Sequence, residues 1–542
     1  MIQANANLGS SRKELWIPLL LIACLTLAVY YVSFSNGFVW DDDSIIVKNS
    51  QTLELSHLPD VLFSPDVVKP YYRPLNRASY LFDYWAYGMN PLGFHAVNIA
   101  IHLVNALLLF LVGCRLLPDR RGALFAALLF AVHPVNAEAV NFISARNTLL
   151  SLAFSLAAFL WFLEARGRWG RPLFFSALLF FGGLLSKETG LMLLAVLPFY
   201  AQSSEPGASA VDWRTRVGWI FPYLLFLALY LGMRTYSLQG VVGVAVPAEG
   251  LFARLAQNYY ILPRYLGLLL APYGFTIFHT VPKEHLFSIP WLFVAWVALL
   301  GAVFLILRGR NAAARFGLLW FAANYVPISN VVPIPSDYMT ERFLYLPAVG
   351  FFILAGAGFC WLQAHLETRR WAAIGALAMV ICCAGLTAER NLDWRNDLSL
   401  FGSAVRNNSE SVGARFNFGT ALMEKGDLAG AQQEWQKALE IDPRHTDTLA
   451  QLGTLAATQG DLARAESYYR AALDSPSANN TPGASMAHFN LAKIYEKKGL
   501  PREALRHYRL FLENVNLSYE EYRPFAERRV AALGASVPAE AR

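Results

Sequence analysis

Apolar residues fall in long unbroken runs along the first two thirds of this chain, separated by short polar connections. The first run, residues 15–34, is twenty residues long. As a helix it measures about 30 Å, one bilayer's hydrocarbon thickness. Further runs cover about 95–116, 121–140, 147–165, 172–185, 188–202, 216–236, 289–308, 314–331, 343–364 and 371–388. Together they predict about eleven spans. Residues 172–185 and 188–202 are short enough to be one tilted helix, and 257–272 reads as a span or as a re-entrant segment. Exchanging both choices keeps the count odd. No small-residue cleavage site follows the first run, so it reads as an uncleaved anchor.

Past Asp393 the pattern becomes that of a soluble helical protein. Gly419, Gly426, Ala431, Trp435 and Ala438 recur 34 positions later as Gly453, Gly460, Ala465, Tyr469 and Ala472. That period with small–aromatic–small spacing marks a tetratricopeptide repeat. A third copy (Leu491, Tyr495, Gly499, Ala504, Tyr508) follows an insertion around 479–483. The expected fold is all-α: a cytoplasmic segment 1–14, a polytopic membrane helix bundle over 15–398 with a first extracytoplasmic loop 36–94, and a repeat solenoid over 399–542. The repeats fall at about 412–445, 446–479 and 485–518. A capping helix at 520–534 covers the last open apolar face.

Composition agrees. The chain is 55% hydrophobic and 15% charged, against about 25% charged in soluble proteins. This excludes a purely soluble enzyme, a disordered chain and a collagen-like one. A net charge of +6 is too small to argue for nucleic acid. Its placement says more. Arg12 and Lys13; Arg115, Arg120 and Arg121; Arg166, Arg168 and Arg171; Arg214 and Arg216; Arg308, Arg310 and Arg315; and Arg369 and Arg370 occupy alternate connections. These read as cytoplasmic, and an odd number of spans then carries the repeats to the other side. Five cysteines (Cys24, Cys114, Cys360, Cys382, Cys383) lie in or beside apolar runs and read as buried small side chains.

Ionisable residues at membrane depth are costly and default to function. Asp41, Asp42 and Asp43 follow the first run directly, between apolar flanks. The segment 41–94 carries Tyr71, Tyr72, Arg73, Pro74, Arg77, Tyr80 and Trp85 and reads as an interfacial helical loop over a cavity. His95, Asn98, His102 and Asn105 share one helical stripe facing the bundle interior. His95 and His102 lie two turns apart, roughly 10 Å, too far to share a metal. His133, Glu138 and Arg146 flank the helix break at Pro134. Lys187 and Glu188 sit at a hairpin tip, and Asp337, Glu341 and Arg342 precede a later run. All fall on the extracytoplasmic side.

Carboxylates beside cations at one membrane face suit group transfer from a lipid phosphate. Arginine or lysine stabilises the leaving phosphate, and a carboxylate takes the proton of the attacking hydroxyl. The lipid needs a groove, and a protein acceptor needs a docking platform, which the repeats supply.

These motifs together resemble a known family. Phe38-Val39 before Asp41-Asp42, Tyr72-Arg73-Pro74-Leu75, 90–98 (NPLGFHAVN), 133–140 (HPVNAEAV), Arg146, Lys187-Glu188, 341–347 (ERFLYLP), and Arg390-Asn391 through 394–397 (WRND) are similar to the transmembrane and tetratricopeptide-repeat-containing proteins. The resemblance implies a GT-C glycosyltransferase, like the eukaryotic members that use dolichyl-phosphate mannose in the endoplasmic reticulum lumen. It places the catalytic acids on Asp41 and Asp42, with Asp41 as base. No metal ligands are assigned, and Asp42 is expected to position the acceptor or an optional divalent cation. Candidate phosphate ligands are Arg73, Arg146, Lys187 and Arg342. His95, Asn98, His102, His133 and Glu138 are candidates for the sugar pocket. The donor is expected to be a polyprenyl-phosphate sugar and the acceptor a protein Ser/Thr hydroxyl, reached with inversion. The short array of three repeats and the Ala/Leu/Arg-rich composition point to a bacterial member in the inner membrane, its site and repeats in the periplasm. A eukaryotic member would place them in the endoplasmic reticulum lumen. Rival readings are an en bloc oligosaccharyltransferase resembling O-antigen ligases and a non-enzymatic membrane scaffold. A transporter ranks lower, because neither inverted halves nor paired broken helices are visible.

Overall fold

The computed structural model describes residues 15–49, 53–66, 71–165, 168–200, 213–238, 250–281, 289–331, 339–365, 369–476, 481–515 and 517–536. Arg12, Lys13, Arg166 and Asp337 lie outside the described residues, as do the side chains of Arg214 and Arg216. Among the described residues every regular element is helical. The chain divides into two compact units, 1–396 and 397–542.

The first unit is a bundle in which each long apolar run forms helix. Six helices are long and apolar enough to cross a membrane by themselves: Pro91–Leu116, Ile143–Ala165, Gly218–Ser237, Pro290–Arg308, Ala348–His365 and Arg369–Asp393. A seventh arises if Arg120–Val132 and Pro134–Asn141, bent by 51°, count as one broken span. Trp16–Val29, Arg171–Ser186 and Glu188–Pro198 are apolar but shorter. The count of eleven is therefore not reached among the described residues. The shorter helices account for the difference, since 14 helical residues rise only about 21 Å. Leu251–Leu270, which contains 257–270, is one continuous helix but is not among the six.

Contact between helices depends on small residues. A Cβ on Gly350 would strike the Gly317 carbonyl and vice versa, and Gly122 and Gly356 stand in the same reciprocal relation. Helix Ala348–His365 thus meets Ala312–Tyr325 and Arg120–Val132 backbone to backbone, where dispersion contacts replace the missing hydrophobic drive in lipid.

The bend at Pro134 frees the carbonyls before it, and each finds a side-chain donor. Asn136 Nδ2 bonds Phe130 O at 2.7 Å, His102 Nε2 bonds Ala131 O at 3.0 Å, and Thr387 Oγ1 bonds Val132 O at 2.6 Å. Irregular backbone at membrane depth persists only when satisfied in this way.

In the second unit three antiparallel helix pairs follow one another: Val412–Glu424 with Leu428–Ile441, Thr446–Thr458 with Leu462–Leu473, and Pro482–Lys497 with Pro501–Glu513. Arg523–Ser536 packs on the last. Gly426, Gly460 and Gly499 turn each pair at φ +85°, +85° and +71°, a left-handed conformation that costs glycine nothing. Gly419 and Gly453 give the Trp435 and Tyr469 rings room to lie against the helix backbone.

Candidate active site

The three aspartates begin a short helical segment, and Asp42 is the buried one among them. Asp42 is fully buried. Its carboxylate accepts from the Ser144 amide at 2.8 Å, the Ser144 hydroxyl at 2.6 Å and the Val39 amide at 3.3 Å. Burial pushes its pKa up to about 7, against the pull of those hydrogen bonds. Asp41 and Asp43 are exposed, and Asp43 pairs with Lys48 at 2.8 Å. Asp42 therefore pins the loop to the 143–145 turn, while Asp41 faces outward.

Trp40, just before them, holds φ at +55°, a strained left-handed conformation for a bulky residue. Its ring stacks on Phe142 at 5.2 Å and meets Phe278 edge-on at 5.5 Å. The Arg342 guanidinium lies over it at 5.4 Å. Arg342 also bonds Glu138 twice, NH1 to Oε1 at 2.5 Å and its backbone N–H to Oε2 at 3.1 Å. The acid loop and the Glu138–Arg342 pair are thus neighbours through one aromatic ring.

The second cation group surrounds Glu188. Arg73 donates to it from Nε at 3.2 Å and NH2 at 3.0 Å, and Arg234 NH1 lies 3.4 Å from its other oxygen. Lys187 is half-buried, and its Nζ donates to the Thr148 hydroxyl at 2.7 Å. Burial, helped by Arg73 and Arg342, pushes its pKa down to about 7. Lys187 also lies 5.7 Å from the Phe343 ring, which Arg342 approaches at 5.3 Å. The structure thus brings Arg73, Lys187, Arg234 and Arg342 into one partly open cluster with Glu138 and Glu188.

Arg146 is placed differently. It is fully buried and engaged by Asp83 at 2.5 Å, Asn98 Oδ1 at 2.7 Å, Phe94 O at 2.9 Å and Ser79 Oγ at 3.2 Å. It acts as a strut between helices. The histidines brace backbone as well. His95 Nε2 meets Gly37 O at 3.2 Å, and His133 Nε2 meets Leu269 O at 3.1 Å while Nδ1 accepts from the Val135 amide. A carbonyl can only accept, so the proton sits on Nε2 in each. For His102 the same argument leaves Nδ1 to accept from the Tyr345 hydroxyl at 2.8 Å. Asn98 also donates to Val140 O at 3.1 Å. Among the sugar-pocket candidates, only Glu138 reaches the cation cluster.

Sequence reasoning did not single out Arg234, His279, Ser144 or the asparagines Asn36 and Asn141, and it met Asn391 only as part of a motif, with no role. Arg234 carried a usable signal, as a charge inside the apolar run 216–236. Ser144 carried none, since its role depends wholly on Asp42 reaching it. Among the described residues no group of three or more His, Cys, Asp and Glu side chains is gathered as a metal ion requires.

Spanning-length apolar helices joined to a helical-pair solenoid define an integral membrane protein with a repeat domain. The repeats match tetratricopeptide repeat models over 412–445 and 450–518. The chain is similar to the Protein O-mannosyl-transferase TMTC3 of Mus musculus, 27% identical over 473 residues, covering 78% of this chain and 51% of that protein. The Homo sapiens protein of the same name is 28% identical over 488 residues, covering 81% and 52%. Protein O-mannosyl-transferase F38B6.6 of Caenorhabditis elegans is 28% identical over 452 residues, covering 79% and 63%. This chain is thus similar to these relatives over about four fifths of its own length, and it spans about half the length of the first two.

Proposed function

We propose that the chain is a membrane glycosyltransferase that moves one sugar from a polyprenyl-phosphate donor to a protein Ser/Thr hydroxyl at the extracytoplasmic face. The observation that carries this reading is an exposed carboxylate, Asp41, directly after Trp40, whose ring lies under the Arg342 guanidinium of a partly open group of cations. The relatives' names make mannose the first sugar to test. The polar chemistry is that of a displacement. Asp41 takes the hydroxyl proton as its oxygen attacks the anomeric carbon from the face opposite the phosphate. The bond from that carbon to the phosphate oxygen breaks, and its electron pair leaves with the phosphate. Inversion follows from a single displacement.

Lys187, Arg73, Arg234 and Arg342 stabilise the leaving phosphate. Lys187 is the first choice, because its described hydrogen bond goes to a neutral hydroxyl. Asp42 and Arg146 position, the first by fixing the loop and the second by tying helices beneath it. Glu138 orients Arg342 and borders the sugar. The repeats dock the acceptor.

Purified Asp41→Asn should keep the wild-type melting temperature and lose transfer by about 10²–10⁴-fold, the usual contribution of a positioned base. The assay is incorporation of labelled sugar from a polyprenyl phosphate into protein. Turnover at the wild-type rate in this variant would remove Asp41 from the scheme.

A further inference from the structure

The end of helix Arg369–Asp393 carries polar side chains that the transfer scheme does not use, and they converge on the acid loop. Asn391 is fully buried. Its Nδ2 donates to Val29 O at 3.0 Å, where the first described helix ends. Its Oδ1 accepts from Asn141 Nδ2 at 2.7 Å. Its backbone carbonyl accepts from Asn36 Nδ2 at 3.1 Å, and Asn36 Nδ2 also lies 3.1 Å from Asn141 Oδ1. Three asparagines from distant segments thus form one closed set. Four residues further on, the Arg395 carbonyl accepts from the Gly37 amide at 3.1 Å. Trp394 is fully buried, 6.0 Å from the Phe142 ring on which Trp40 stacks. Arg390 meets Asp393 at 2.8 Å and Glu341 at 3.5 Å, and Glu341 accepts from His279 Nε2 at 3.3 Å.

These contacts fix the two residues at the root of the acid loop. They also hold Phe142, the ring beneath Trp40. Such restraint is needed, because a tryptophan at positive φ relaxes to an extended or helical conformation unless its surroundings over-determine it. Relaxation of Trp40 would re-aim Asp41, the next residue.

We propose that Asn391, with Asn36 and Asn141, is a positioning set for the acid loop: a latch at the end of the last membrane helix that holds Trp40 in its strained conformation and so aims Asp41. No hydrogen bond of the three asparagines goes to Arg73, Lys187, Arg234 or Arg342, and Arg342 is reached only through the Trp40 and Phe142 rings, so the latch governs turnover more than donor binding. This extends the sugar-transfer reading, on which its kinetic part rests.

The test uses the full chain in lipid nanodiscs with Asn391→Ala, and with Asn36→Ala should the first variant fail to fold. Hydrogen–deuterium exchange followed by mass spectrometry is read peptide by peptide. Residues 36–44 should exchange at least tenfold faster than in wild type, while 91–116 should be unchanged. With a polyprenyl-phosphate mannose donor, kcat should fall at least tenfold and the donor KM stay within threefold. Faster exchange confined to 385–396 would overturn the latch, as would a raised donor KM with kcat unchanged. Should the wild-type chain transfer no sugar at all, the sugar-transfer reading falls, and the exchange comparison still decides the latch.

Discussion

Two adjacent aspartates have opposite fates at the residue scale. Sequence placed Asp41 and Asp42 together; three hydrogen bonds and full burial separate them. Lys187 makes the clearest solution prediction. Its pKa near 7 leaves about half of it neutral at pH 7 in the free protein, and an anionic phosphate binds the charged form. Above pH 7 binding must therefore take up a proton, and affinity should fall by about tenfold per pH unit. The arginines stay charged throughout and contribute no such slope. Titrating the protein with polyprenyl phosphate between pH 6 and pH 9 checks this. Lys187→Met should bind more weakly at pH 6 and lose the slope; an unchanged slope in that variant would assign it to another group.

Helix existence was legible at the element scale, because unbroken apolar runs have few alternatives in a bilayer. The polar stripe on Pro91–Leu116 was legible as facing inward, and His95, Asn98, His102 and Asn105 are indeed all buried. What those residues bond was not legible, since it depends on carbonyls freed by a bend in another helix. Glycine use makes a test at this scale. Gly350→Leu should force Ala348–His365 away from Ala312–Tyr325 and destabilise the bundle by about 1–3 kcal/mol, as overpacking does. Gly358 lies on the same helix with open space around its Cβ position. Gly358→Leu is therefore the control, with little change expected. Thermal unfolding in one detergent compares the two, and equal losses would reject the glycine contact as the cause.

The transfer scheme stands on sidedness at the scale of the whole molecule: the acid loop and the repeats must open to one compartment. Span counting cannot supply this, because apolar helices too short for a confident span change the parity. In a cysteine-free background, Glu54→Cys in the loop and Lys425→Cys in the repeats are both exposed positions. An impermeant maleimide added outside sealed vesicles of one orientation should label both or neither. Labelling of one alone would place the acceptor platform across the membrane from the acids and end the scheme for repeat-docked proteins.

The sequence by itself determined the helical class, the membrane character, the repeat period and the set of segments that carry charge, because each of these is written locally in hydropathy and spacing. It also carried the motifs on which the resemblance rests, whose order along the chain needs no third dimension. Only the tertiary structure decided which charges meet. Arg146 is enclosed by Asp83, Asn98, Phe94 and Ser79 while Arg342 joins Glu138 in the cation cluster, although both were read alike, because a guanidinium's surroundings follow from the partners that close around it. Likewise Asn36, Asn141 and Asn391 mean nothing singly, since a hydrogen bond between residues up to 355 positions apart exists only once the helices between them have packed.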